Sequence, residues 1–151
     1  MIRNIIIEGD PVLRKVSKEV TEFDERLHIL LDDMADTMYK ADGAGLSAVQ
    51  VGVLKRAFVI DTGDGLREFV NPTITKCSGI NKIKEEGCLS VPDRYGYVER
   101  PEHVWVKYQD RNGIKHEDKL SGYTAKAFCH ESDHLDGILF VDKATNIKKY
   151  K

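Results

Sequence analysis

The chain has 151 residues, 41% of them hydrophobic, about right for one domain with a single core. A formal net charge of −2 leaves no overall field to attract DNA or an acidic membrane. The apolar run Ile5-Ile6-Ile7 gives way to Glu8-Gly9-Asp10, far too short for a signal peptide or a membrane span, so the expected location is cytoplasmic. Three cysteines without framework spacing fit reduced thiols in that compartment.

In chain order, Thr21 to Asp24 opens a stretch in which Leu27, Leu30, Leu31, Met34 and Met38 recur at helical spacing until Asp42-Gly43. This predicts an amphipathic helix with its apolar stripe, methionines included, on the core. Ala57 to Ile60 and Arg67 to Val70 read as short strands around a Gly63-Asp64-Gly65 turn, a hairpin. Tyr97 to Tyr108 and Ile114 to Leu120 read as two more, joined at Arg111-Asn112-Gly113. Ser121 is placed to cap a second helix, Gly122 to Leu135, followed by Gly137. Lys148, Lys149 and Lys151 make a short basic tail, read as solvated. With no internal repeat or linker, the order predicts an α+β fold of antiparallel strands packed about one central helix.

That second helix carries His130-Glu131-Ser132-Asp133-His134, the H-E-x-x-H arrangement of a hydrolytic metal site. Residues four apart are neighbours along a helix, so both imidazoles reach one ion, while Glu131 leans about 100° further round, towards the place of an attacking water. The other reading is two helix histidines among surface acids. A metzincin-type site would need a third histidine where Phe140 stands, and a thermolysin-like site a downstream glutamate, of which none follows Glu131. The third ligand must come from upstream. Cys129 precedes His130 on the same helix and points away; Cys77 has nothing nearby to polarise a thiolate. Cys88, in Glu86-Gly87-Cys88-Leu89-Ser90-Val91-Pro92, lies in a segment held extended and is the candidate. Two histidines, one thiolate and an open fourth position describe a catalytic site rather than a structural one.

Gly43-Ala44-Gly45-Leu46-Ser47-Ala48-Val49-Gln50-Val51-Gly52, Glu86-Gly87-Cys88-Leu89-Ser90 and His130-Glu131-Ser132-Asp133-His134-Leu135 together resemble the three signature motifs of the peptide deformylases, in the family's order and spacing. Asp10-Pro11-Val12-Leu13-Arg14 and Val70-Asn71-Pro72 extend the resemblance over nearly the whole chain. It implies one catalytic domain over residues 1–151, a hydrolase that removes the formyl group from the N-terminal methionine of newly made proteins and releases formate. Cys88, His130 and His134 would hold the metal and Glu131 would act as general base and acid. The side-chain amide of Gln50 and the backbone N–H of Leu89 would donate to the growing oxyanion.

By the same resemblance, Ala44, Gly45 and Gly87 match positions whose main chain pairs with an extended substrate. Tyr123 and Ala127 match positions of the methionine pocket, with ordinary helix packing as their other reading. Glu86 is expected to pair with Arg100 behind the metal loop. Mixed nitrogen and thiolate ligation suits zinc and also accepts iron, cobalt and nickel. The resemblance implies ferrous iron in the cell, with zinc, nickel or cobalt in purified protein. Formylmethionyl nascent peptides are the expected partners, and an association with the ribosome near its exit tunnel is left open. Ser47 stands where the family usually has alanine and Cys129 where it has glutamine, neither of them a ligand or base in this scheme. Two rivals remain: a general zinc endopeptidase, and a metal-binding protein that has lost turnover.

Overall fold

All eight strands of the computed structural model, which describes residues 1–83 and 85–149, pair with their neighbours antiparallel. The first helix, α1 (Glu25–Lys40), starts where the Asp24 carboxylate accepts from the Leu27 N–H at 3.2 Å. Its apolar stripe, Leu27, Leu30, Leu31, Met34 and Met38, is buried as the spacing predicts. The strands are β1 (Gly45–Ser47), β2 (Ala57–Ile60), β3 (Arg67–Ser78), β4 (Glu85–Cys88), β5 (Val91–Tyr97), β6 (His103–Gln109), β7 (Lys115–Ser121) and β8 (Thr145–Lys149). They form a five-stranded sheet in the order β1-β2-β3-β6-β7 and a three-stranded sheet in the order β4-β5-β8. The second helix, α2 (Gly122–Leu135), carries the histidine motif and packs on β1, β2, β6 and β7.

The continuous apolar run of β2 is explained by burial on both faces. Alternation sends Ala57 and Val59 to the α1 side, and Phe58 and Ile60 to the α2 side. On the α2 side Phe58, Phe69 and Phe128 meet edge-on or tilted at centroid distances of 5.0–5.3 Å. A third cluster of Leu13, Val91, Val98, Leu139 and Phe140 seats the small sheet.

The predicted hairpin forms with Ile60 opposite Arg67, yet β3 runs on past Val70 to Ser78. Pro72 has no N–H for a ladder, and the register shifts between Val70 and Thr73, so the strand continues through a bulge. The single strand expected over Tyr97 to Tyr108 is two, β5 and β6, in different sheets. The residue before Pro101 is restricted and Pro101 donates nothing, so the chain leaves one ladder there and joins the other. Ser121 occupies the position before α2, but its hydroxyl pairs with His103 Nδ1 at 2.7 Å; the Gly122 N–H is capped by the Glu102 carboxylate at 3.1 Å. Lys148 and Lys149 are solvated as expected, though they sit in β8 against β5 rather than in a tail, and Lys151 lies outside the described residues.

After α2 the chain turns at Gly137, with φ +75° and no room for a side chain, since a Cβ there would come within 2.4 Å of the Arg14 carbonyl oxygen. This close approach fixes the C-terminal end of the motif helix against the N-terminal segment.

Truncating Phe128, fully buried among the aromatic rings, tests how far the α2 core carries stability. Phe128→Ala is expected to cost about 3–5 kcal/mol. In thermal unfolding at fixed metal loading this lowers the midpoint by roughly 10 °C.

Candidate metal centre and active site

Helix α2 turns His130 and His134 inward, and their Nε2 atoms lie 3.2 Å apart. Strand β4 ends at Cys88, whose Sγ is 3.3 Å from His134 Nε2. One donor atom from each of these three residues lies within 4.8 Å of the others, the only such group of three or more potential ligands among the described residues. Bonds of about 2.0–2.3 Å to one tetrahedral ion would place its donors roughly 3.4–3.7 Å apart, so the set fits a single cation with little movement. Cys129 is excluded as the reasoning from helix geometry expects: it packs with Phe128 in the core, and burial pushes its thiol up to about 11. Cys77 lies exposed on β3.

The electrostatics also favour a positive charge. Burial opposes protonation of His130, yet the Cys88 sulfur and the Glu131 and Glu86 carboxylates outweigh it and hold its pKa well above the ordinary histidine value. His134 goes the other way, pushed down by burial and by His130, and so stays a neutral imidazole with a lone pair to offer.

Behind the histidines stands Glu86, on β4. Its carboxylate accepts from Arg100 Nη2 at 2.7 Å and Nε at 3.2 Å, and from His130 Nδ1 at 2.5 Å. With Nδ1 turned to Glu86, Nε2 is the atom of His130 that faces His134 and would meet a cation. Burial opposes ionisation of Glu86, but the bonds from His130 and Arg100 prevail and keep it well below the usual carboxylate range. The expected Glu86–Arg100 pair is therefore present, and it is larger than the sequence indicated. Arg100 Nη1 also donates to Asp133 at 2.7 Å, and Lys126 Nζ lies 3.2 Å from Glu86 Oε2.

Glu131 is 4% exposed, with Oε2 3.9 Å from His130 Nε2. Burial raises its pKa above the ordinary glutamate value. Gly45 lies against it, and a Cβ there would come within 2.6 Å of Oε2, so only glycine leaves room for the carboxylate. Gln50, in the 3-10 turn Ala48–Val51, has its orientation fixed from both ends. Its carbonyl accepts the Ser47 N–H at 2.9 Å, and its amide nitrogen donates to Ser90 Oγ at 3.0 Å and approaches Cys88 Sγ at 3.5 Å.

These groups share one cleft of about 440 Å³ between β1, β4 and α2. Ala44, Gly45, Gln50, Gly87, Cys88, Leu89, Tyr123, Ala127, His130 and Glu131 all line it, so the candidate residues drawn from three separate motifs meet in one place. His134, fully buried, stands behind. Three participants escaped the sequence reading: Lys126, Asp133 and Ser90. Lys126 lies one helical turn before His130 and Asp133 three residues after it, so the helical period that found the histidines points to both.

The polypeptide deformylase family model matches residues 2–150. A peptide deformylase of Caldicellulosiruptor bescii is 58% identical over 142 residues, covering 94% of this chain and 85% of that protein. One of Finegoldia magna is 48% identical over 150 residues, covering 98% and 93%. The crystal structure of the Thermotoga maritima peptide deformylase superposes with a TM-score of 0.93 at 44% identity, over 96% of this chain and 99% of that one. With sequence and architecture matched from end to end around a thiolate, two imidazoles and a buried glutamate, the chain belongs to the polypeptide deformylases, metal-dependent hydrolases that remove the formyl group from the N-terminus of newly made proteins.

Proposed function

We propose that residues 1–151 act as one catalytic domain in which Cys88, His130 and His134 hold a divalent ion, Glu131 moves the proton, and Gln50 with the Leu89 N–H receives the developing oxyanion. The observation that carries this reading is the convergence of the three donor atoms within 4.8 Å beside the buried Glu131 carboxylate at one cleft. When bound, the ion supplies the acidity that makes water nucleophilic near neutral pH and polarises the formyl carbonyl.

Glu131 takes a proton from the attacking water and returns it to the amine, which is a poor leaving group until protonated. Its burial supports this, since a carboxylate with a raised pKa holds the proton long enough to pass it on. As the formyl carbon becomes tetrahedral, the Gln50 amide, held by Ser47 and Ser90, donates without having to reorganise. Ala44, Gly45 and Gly87 offer main chain to an extended peptide on either side of the cleft. Tyr123 and Ala127 form the wall of the methionine slot, and burying that side chain there contributes roughly 1.5–3 kcal/mol.

We assign the substrate as the formylmethionyl end of a nascent chain, met in the cytoplasm as it leaves the ribosome. Among the described residues no helix is long and apolar enough to cross a membrane. The donor set accepts zinc, nickel and cobalt as well as iron, and the assignment for the cell is ferrous iron.

Three measurements test the reading. Formyl-Met-Ala-Ser assayed beside its acetylated twin should release formate quickly and acetate scarcely; cleavage of internal peptide bonds would favour an endopeptidase instead, and release of neither acid a binding protein. Elemental analysis after anaerobic purification should find one iron per chain in the most active fractions, and activity that follows zinc content would overturn the iron assignment. Arg100→Leu removes the two bonds that seat Glu86 and the one to Asp133, which loosens the carboxylate that orients the His130 ring, so chelator competition should read a metal affinity weakened about 10- to 100-fold.

A further inference from the structure

Ser47 ends β1 with its side chain fully buried against α2. Its Oγ lies 2.9 Å from Glu131 Oε1 and 3.1 Å from the Glu131 backbone oxygen. A hydroxyl has one proton to give, and of two acceptors at similar distance the carboxylate is the stronger. The serine therefore donates to Oε1. The other oxygen, Oε2, packs over Gly45 and is the one that faces His130 Nε2 at 3.9 Å.

The terminal torsion of a glutamate is broad, so a carboxylate held only by packing samples a range of orientations. Here one oxygen is anchored to the strand and the other is left pointing into the cleft. The same residue holds the second polar group of the proposed mechanism, because its backbone N–H fixes the Gln50 carbonyl at 2.9 Å. Period-2 alternation along β1 explains the coincidence: Gly45 and Ser47 face α2 while Leu46 faces α1.

We propose that the Ser47 hydroxyl is a positioning residue for proton transfer, pinning Glu131 Oε1 so that Oε2 stays aimed at the attacking water. This rests on the assignment of Glu131 as the base, and the test separates the two.

Ser47→Ala, Glu131→Ala and the double variant are compared on formyl-Met-Ala-Ser, with bound metal measured in each. Ser47→Ala should lower kcat about 3- to 10-fold while KM and metal content stay at the parent values, the size expected when one charge-assisted hydrogen bond that orders a reacting group is lost. In the Glu131→Ala background, removing the hydroxyl should change the residual rate less than about twofold, because the two groups act as one unit. A crystal structure of Ser47→Ala should show the Glu131 carboxylate spread over more than one orientation, a readout independent of turnover. Unchanged kcat, a rise in KM in place of a fall in kcat, an equal loss in both backgrounds, or a Glu131 carboxylate that keeps its single orientation would each overturn the proposal. Parent-level turnover in Glu131→Ala would overturn the base assignment itself, whatever Ser47 does.

Discussion

The Glu86 carboxylate is the contact on which the arrangement of this protein depends. It sits on β4 of the small sheet, takes two hydrogen bonds from Arg100 and one from His130 of α2, and has the Lys126 ammonium beside it. Burying a carboxylate this deeply carries a desolvation penalty, which the bonds from His130 and Arg100 together outweigh. What it secures is geometry: β4 carries Cys88, α2 carries both histidines, and the two elements are joined by the residue two before the cysteine. Arg100 extends the connection to Asp133, which also receives Lys143, so the motif helix is braced along its metal-facing turn.

The opposite wall of the cleft is set by packing rather than charge. β1 is three residues long and rests on β2, whose side chains fill the α1 core on one face and the aromatic α2 core on the other. That two-sided burial leaves β1 little freedom to shift relative to α2. The absence of a Cβ at Gly45 lets the Glu131 carboxylate lie directly against the strand, and the Ser47 hydroxyl is in reach because it follows two residues later on the same face. One wall is thus held by a charge network and the other by a close-packed core, and the buried Glu131 carboxylate stands where the two meet.

Much of this was legible in the sequence, and for identifiable reasons. The motif helix has the expected bounds because Gly122 and the Asp136-Gly137 turn mark its ends, and α1 because its apolar period is regular. Cys88 could be separated from Cys129 by helix geometry alone, since neighbours on a helix point about 100° apart. The small sheet was largely invisible. Every residue of β8 is exposed, so no hydrophobic alternation announces it, and β5 contains Pro92 and Gly96, which read as breakers. The division between β5 and β6 hides in Arg100-Pro101, where the arginine, just past β5, is drawn inward by Glu86 of the neighbouring strand β4, a pair that the family resemblance anticipated but no local periodicity marks as a strand end. The misassigned cap has the same origin: Glu102 reaches Gly122 only after the chain has crossed between sheets, which releases Ser121 to His103.

The topology also explains why a cleft exists between those walls at all. β1 and β4 are terminal strands, one in each sheet, each paired on a single side. Exposed strand edges invite pairing with any extended chain, and here they are only three and four residues long, too short to template a stable foreign sheet. In the function proposed above, a short peptide end would use both edges, with backbone bonds from two sheets at once and its first carbonyl brought to Cys88 at the end of β4. The tie from Glu86 to His130 joins β4 to α2, and α2 packs on β1, so the carboxylate that orients His130 also helps to hold the two edges in place about the cleft. A change that frees Glu86 from Arg100 would loosen the contact between β4 and α2, and with it both the proposed ligand set and the proposed peptide edge, because one side chain joins the two elements.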